Sequence, residues 1–267
     1  MKRAVILVLA PILLTVWVSD GDARRRRRRH KPAAAQVNQR AAKAIAALVG
    51  KYKWRLNKDQ VIRLLTKKIR KNYYKKIRKA RNQPMKQDRL RRELRSQINK
   101  VKSSFIRFDG HRSNWDSSIV DDQFKQNNNE SMVVFLEKEQ QRFFFFHNGQ
   151  LYKQFIAFNA DHPNYKGLTF PQFLGKLIQA FGQGKPVFQK DVAGQSRLHH
   201  VEWIGANNVR MWAVDKSTIY GNFCIVLFNE PMRQAVLSGR KMTSGSSRTS
   251  TDDLIDSVTK PKREDEY

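Results

Sequence analysis

The side chains of this sequence that could do chemistry by number and spacing are cations. Arg24, Arg25, Arg26, Arg27, Arg28 and Arg29 run without interruption, and His30 and Lys31 follow. A second set, Lys67, Lys68, Arg70, Lys71, Lys75, Lys76, Arg78 and Lys79, recurs at helical spacing. Ordinary Lys and Arg stay protonated at neutral pH, so such groups suit the binding of repeated negative charge better than proton transfer. Aromatic side chains form the other conspicuous set. Phe143, Phe144, Phe145 and Phe146 are consecutive, and Trp54 sits between Lys53 and Arg55. In a strand, alternate residues face opposite sides, so a four-Phe run puts two rings on each face. One pair fits a core. The other pair and Trp54 are candidates for a binding surface or for self-association.

Catalytic groups are sparse. His199 and His200 lie side by side in an expected strand, where neighbours point to opposite faces and do not converge on one metal. Asp109, His111, Asp116, Asp121 and Asp122 form an acidic cluster. Its spacing matches neither a zinc site nor an EF-hand. An enzyme acting on an envelope polymer would draw acid and base from an acidic cluster such as Asp116, Asp121 and Asp122. Cys224 lies in the most apolar run, which assigns it to packing. No nucleophile elbow, dinucleotide loop or P-loop is present. The sequence therefore assigns no catalytic residue, no metal and no cofactor, and it reads as a non-enzyme.

The charge is not spread evenly along the 267 residues, whose formal total is +29. Residues 1–23 balance two cations with two acids. Residues 24–108 hold 31 Lys and Arg against three acids, and residues 109–267 hold 19 against 18. A solvated surface normally mixes signs. Like charges at i, i+4 cost a helix ~0.2–0.5 kcal/mol per pair. Self-repulsion on this scale makes sense if a polyanion relieves it. The single cysteine excludes a disulfide framework within the chain. No apolar run reaches the ~20 residues of a standard membrane-spanning helix.

The elements that must position these groups can be read from periodicity. Lys2 and Arg3, an apolar run over 4–18 and small residues up to Ala23 make the pattern of a secretory signal cut after Ala23. The positive run that follows resists export, which leaves a retained anchor as the alternative. Residues 24–35 read as a disordered Arg-rich arm. Residues 36–108 read as a basic helical module. Within it, Ile62, Leu65, Ile69, Tyr73 and Ile77 stripe one helix, and Leu90, Leu94, Ile98, Val101 and Phe105 stripe a second. Asn82-Gln83-Pro84 separates them, which predicts an antiparallel αα-hairpin. Residues 109–130 read as a polar connecting loop.

Residues 131–242 read as a globular α+β domain. Asn148-Gly149 is a hairpin turn between strands at 142–147 and 151–158, after a first strand at 132–137. Phe170, Phe173, Leu174, Leu177, Ile178 and Phe181 line one face of a helix, and Thr169 with Gln172 resembles a capping box. Strands at 199–204, 209–214 and 223–228 follow, then a helix at 230–237. The predicted fold is α+β: a basic helical hairpin, then an antiparallel sheet in βββα-βββα order with helices packed on one face. Residues 243–267 read as a disordered tail. The function expected from this pattern is that of an exported, periplasmic or extracellular, non-enzymatic binding or scaffold protein. Its basic module would contact an anionic envelope polymer or an anionic lipid surface. Its aromatics would meet another envelope protein or a second copy. The alternative partner is nucleic acid, with the apolar N-terminus retained as an anchor.

Overall fold

Helix starts are set by side chains that satisfy the free backbone N–H groups of the first turn. In the computed structural model, which describes residues 38–246 apart from 112, 160 and 191–193, Asn38 accepts from the Arg40 and Ala41 amides at the head of α1 (Gln39–Val49). Asn57 and Gln60 form a reciprocal capping box, both bonds 2.9 Å, at the head of α2 (Lys58–Lys79). Pro84 opens α3 (Pro84–Ser103), a position where its missing N–H costs nothing. Contacts divide the chain into residues 1–35 and 36–267. The Arg24–Arg29 arm, the signal segment and residues 247–267 lie outside the described residues, whereas residues 243–246, expected as the start of a disordered tail, belong to the last helix, which runs on past 237 to Ser246.

One eight-stranded antiparallel sheet follows, in the order β1-β2-β3-β4-β8-β7-β6-β5. Its strands are β1 (Ile106–Arg107), β2 (Glu130–Leu136), β3 (Gln140–His147), β4 (Gln150–Asn159), β5 (Lys185–Lys190), β6 (Ser196–Ile204), β7 (Val209–Lys216) and β8 (Asn222–Asn229). Asn148 and Gly149, at φ 48° and 75°, make the tight β3–β4 turn that their sequence predicts. The helix α4 (Phe170–Phe181) joins the two halves, headed by the Thr169–Gln172 capping box. A single turn α5 (Ser217–Tyr220) precedes β8, and α6 (Glu230–Ser246) ends the described chain. The α+β class and the N-terminal helical hairpin agree with the sequence reading. The strands β1 and β5 are additional to it.

The sheet is two meanders, β1–β4 and β5–β8, meeting where β4 pairs with β8. Directly paired residues share a face. That rule assigns Phe144, Gln154, Leu227, Met211 and Trp203 to one face. Over it, α1 and α4 pack on Trp203, Met211, Ile225 and Leu227. Beside them, α2 and α3 pack on Val133, Phe135, Phe144 and Phe146. The opposite face carries Phe143, Phe145, Phe155, Val226 and Phe228. It is covered by Phe108, Ile119, Val120 and Phe124 of the segment before β2, and by Val236 of α6. The helices do not all pack on one face as expected: α1 to α4 cover one, and α6 lies on the other through Val236, because β8 delivers the chain to the Phe143–Phe155 side.

Candidate functional site

The cationic helices α2 and α3 are fastened to the sheet along only part of their length. An α-helix of 22 residues is about 33 Å long. Val61, Leu65 and Ile69 of α2 and Leu94 and Val101 of α3 join the sheet-facing core. Lys68 donates to both carboxylate oxygens of Glu137, at 2.7 and 2.9 Å, and lies over the Phe135 ring at 5.1 Å. Beyond Ile69 no side chain of α2 is buried until Ala80, which, like Leu90 of α3, lies outside that core. The outer half of the hairpin therefore projects from the sheet body.

On this projection Lys71, Lys75, Lys76, Arg78 and Lys79 are exposed, and Lys67 and Arg70 are exposed just inboard. The two helices carry ten and seven Lys and Arg, against Asp59, Asp88 and Glu93. Among the described residues, their ion pairs are Lys68–Glu137, Arg89–Glu93 and Arg91–Asp88. Lys68 is thus half-buried and serves as a tie to the sheet, which corrects its place among the outward contacts. The exposed aromatic on the hairpin is Tyr74, at 56%.

The aromatic surface expected from the sequence is not formed. Phe143, Phe144, Phe145 and Phe146 are all fully buried. Both faces of β3 are covered, one by α2–α3 and the other by the segment holding Phe108, Ile119 and Phe124. Trp54 is also half-buried, packed where the α1–α4 and α2–α3 cores meet. Its neighbours Lys53 and Arg55 are exposed, but its ring is part of the scaffold.

A second polar centre lies on the other face, beneath α6, and the sequence reading missed it. Its walls are β4, β7, β8 and α6, and its cavity of about 180 Å3 is lined by Asp122, Tyr152, Lys153, His199, Arg233 and Arg240 among others. Lys153 pairs with Phe145 and Phe228, which turns its amine toward α6. It is only 6% exposed, donates to the Gln123 carbonyl and lies over the Phe145 ring at 4.5 Å. Burial, with the nearby Arg240 charge, pushes the Lys153 amine down to about 7.

Beside Lys153, Glu130 is buried and fully engaged. It accepts from Arg240 Nε and Nη2 at 2.8 and 2.7 Å, from Asn128 at 2.8 Å and from the Tyr152 hydroxyl at 2.9 Å. Burial alone would raise its carboxyl, but the Arg240 guanidinium brings it below the usual carboxylate range. Arg233 stacks over Trp212 and Phe228, at 4.6 and 5.0 Å from their ring centres.

The two histidines come together instead of pointing apart. The β5–β6 register shifts so that His200 pairs with Val187 and Leu198 with Phe188, which leaves His199 as the extra residue of a bulge. The Nδ1 atoms are 2.6 Å apart, and the His200 ring stacks on Trp212 at 4.1 Å. Burial, then the neighbouring His199, pushes His200 down to about 4.

The acidic cluster disperses into structural contacts. Asp116 accepts from the Ser113 amide and from Gln126, and Asp122 pairs with Lys216 at 2.6 Å. Among the described residues, no group of three His, Cys, Asp or Glu side chains is placed to hold a metal ion. Cys224 is buried, and burial pushes its thiol up. A larger groove of about 880 Å3 runs past Asn57, Lys58, Asp59, Arg107, Asp109 and Asn148.

No protein-family model matches the chain, and no curated protein matches it. A solved structure, the crystal structure of a cysteine-rich secretory protein from Staphylococcus aureus subsp. aureus Mu50, aligns at 8% identity with a TM-score of 0.22. The alignment covers 39% of this chain and 36% of that one, so it spans about a third of that protein's length. A likeness of this size carries no argument about fold or function.

Proposed function

We propose that this chain is an exported, non-enzymatic binding or scaffold protein of the cell envelope. It holds an anionic polymer or an anionic membrane surface through the α2–α3 hairpin. The observation that carries the reading is the outward cations of the projecting half, Lys71, Lys75, Lys76, Arg78 and Lys79, none of them in an ion pair among the described residues. The α2 helix presents them as a band about 12 Å long, estimated from the 1.5 Å rise per residue. Repeated phosphates or carboxylates would relieve the repulsion between them and release condensed counterions. The Arg24–Arg29 run adds six cations that a polyanion would also meet. Export rests on the signal pattern of residues 1–23.

The binding test is the full chain on long-chain polyphosphate and on vesicles rich in phosphatidylglycerol, beside a variant with the five outward cations changed to Gln. Wild-type binding with at least a tenfold loss in the variant supports the reading, taking ~1 kcal/mol or less per exposed contact. Equal binding by the two proteins overturns it. A second reading has its own observation: Tyr74, exposed beside Lys75 and Lys76, offers a stacking platform for unpaired bases. It is favoured if single-stranded nucleic acid outcompetes polyphosphate and Tyr74→Ala removes that preference. Export is tested by the intact mass from native cells. Loss of residues 1–23 supports it, and a full-length mass contradicts it.

A further inference from the structure

The cavity beneath α6 is a second place where positive charge is left over, and it differs in kind from the hairpin. Three cations, Lys153, Arg233 and Arg240, line a space of about 180 Å3. Of the carboxylates around it, Glu130, Asp122 and Glu202 are held by hydrogen bonds. Glu130 accepts from Arg240 Nε and Nη2, from Asn128 and from the Tyr152 hydroxyl. Asp122 is held by Lys216, and Glu202 by Arg210 and the Trp212 indole. Glu230 stands 3.8 Å from Arg233 and 3.9 Å from Arg210, an ion pair with each, but its buried Oε2 has no hydrogen-bond partner among the described residues. Lys153 has the carbonyl and side-chain oxygens of Gln123 as acceptors, and among the described residues it forms no ion pair with a carboxylate.

A buried ammonium without a counter-charge is costly, because desolvation is not offset by pairing. Two cations from different elements, Lys153 on β4 and Arg233 on α6, face the same small space. Exposed His199 stands at its rim. Donors arriving from three directions suit a tetrahedral oxyanion better than a planar carboxylate, and an Arg guanidinium matches phosphate oxygens in geometry.

We propose that the cavity between α6 and the sheet is a binding site for a small tetrahedral oxyanion, a phosphate group free or on a short substituent, held by Lys153 and Arg233 with His199 at the mouth. The site is independent of the hairpin and of the polyanion reading. The bound anion supplies the charge that Lys153 lacks, so binding takes up a proton at the amine above neutral pH. The charged groups facing that amine are Arg240 and Arg233 from α6, Glu130 from β2 and Asp122 from the 3-10 turn, with the Tyr152 hydroxyl beside them.

The experiment is calorimetric titration of the full chain with inorganic phosphate, methyl phosphate and sulfate, in sodium chloride strong enough to screen the exposed hairpin. Sulfate stays a dianion at every pH used, so its pH dependence reports the protein alone. The expected result is one saturable site with a dissociation constant on the order of 1 mM or tighter. Sulfate should bind at least ~10-fold more weakly at pH 9 than at pH 6, since Lys153 loses its proton between them. Lys153→Met and Arg233→Gln should each abolish the site, whereas a Lys71→Gln, Lys75→Gln, Lys76→Gln variant should keep it. Equal affinity for phosphate and methyl phosphate would assign the substituted ligand as well as the free ion, and preference for phosphate the free ion alone. No saturable binding by the wild type, affinity unchanged in Lys153→Met, or sulfate affinity equal at both pH values would each overturn the proposal. Arg233→Gln, at the less buried wall, keeps the test decisive if Lys153→Met fails to fold.

Discussion

Replacing Lys153 by Met should make the protein more stable at neutral pH, and the size of the effect should depend on pH in a defined direction. The amine falls from its ordinary 10.5 to about 7 in the folded chain. At ~1.36 kcal/mol per pH unit, that displacement sets a ceiling of about 5 kcal/mol on what the buried lysine costs near pH 7. Met keeps the length of the stem and needs no hydration. It gives up the bond to the Gln123 carbonyl, worth about 1 kcal/mol, but that oxygen still accepts from Arg240 at 2.8 Å. It also gives up the ring contact with Phe145, worth about 1 kcal/mol. The net gain expected at pH 7 is roughly 2–3 kcal/mol, or about 4–12 °C in Tm for a chain of this size.

Because the folded value lies below the unfolded one, the folded state binds fewer protons between about pH 7 and pH 10.5. The wild type should therefore gain stability relative to the variant as pH rises through that window, by up to ~1.36 kcal/mol per pH unit. Below pH 6 the difference should be constant. The assay is guanidinium unfolding of both proteins at pH 6, 7, 8 and 9. Two results would refute the reasoning: a variant less stable than the wild type at pH 7, or a difference that stays flat from pH 7 to pH 9.

Three further outcomes follow from the same geometry. Glu130→Gln breaks a buried, doubly bonded ion pair and should cost about 3–5 kcal/mol at pH 7 by chemical unfolding. The folded Glu130 carboxyl lies below its unfolded value, so that stabilisation is complete above the unfolded value and should fade as pH falls through the folded one. Phe144→Ala empties a site between β3 and the hairpin and should cost about 3–5 kcal/mol, with faster proteolysis within α2–α3. Cys224, buried with its thiol pushed up, should resist a thiol-specific disulfide reagent at pH 8 and react only as fast as the protein opens.

What could be read from the sequence was what short-range periodicity encodes. The Asn57 and Thr169 caps, the Asn148-Gly149 turn and the stripes of α2, α3 and α4 are each determined within a few residues. The α+β class and the cationic hairpin follow from them. The burial of all four phenylalanines was not local. The layer that covers Phe143 and Phe145 is built from Phe108, the last residue of the basic module, and from Ile119, Val120 and Phe124, scattered through a segment that reads as a polar loop. The strand β5 escaped because Pro186 and its mostly exposed side chains give no alternation.

The centre beneath α6 depends on longer range still. Glu130 and Arg240 are 110 positions apart, and Lys153 reads as one more surface lysine until β8 and α6 cover it. The one available signal was a lone cation, with Gln154 beside it, inside a strand otherwise built of apolar and aromatic residues from Leu151 to Phe158. The His199–His200 contact depends on a bulge, and strict alternation predicts the opposite placement.

The central claim, that the projecting half of the α2–α3 hairpin grips a polyanion, is tested most directly by the salt dependence of polyphosphate binding. Each contact that releases a counterion steepens the plot of log affinity against log salt by ~0.7–0.9. Engagement of four or more of the exposed cations predicts a slope of about −3 or steeper for the full chain. Changing Lys71, Lys75, Lys76, Arg78 and Lys79 to Gln should flatten it by about 3, leaving what the Arg24–Arg29 run contributes. A wild-type slope near zero, or the same slope in both proteins, would contradict the account.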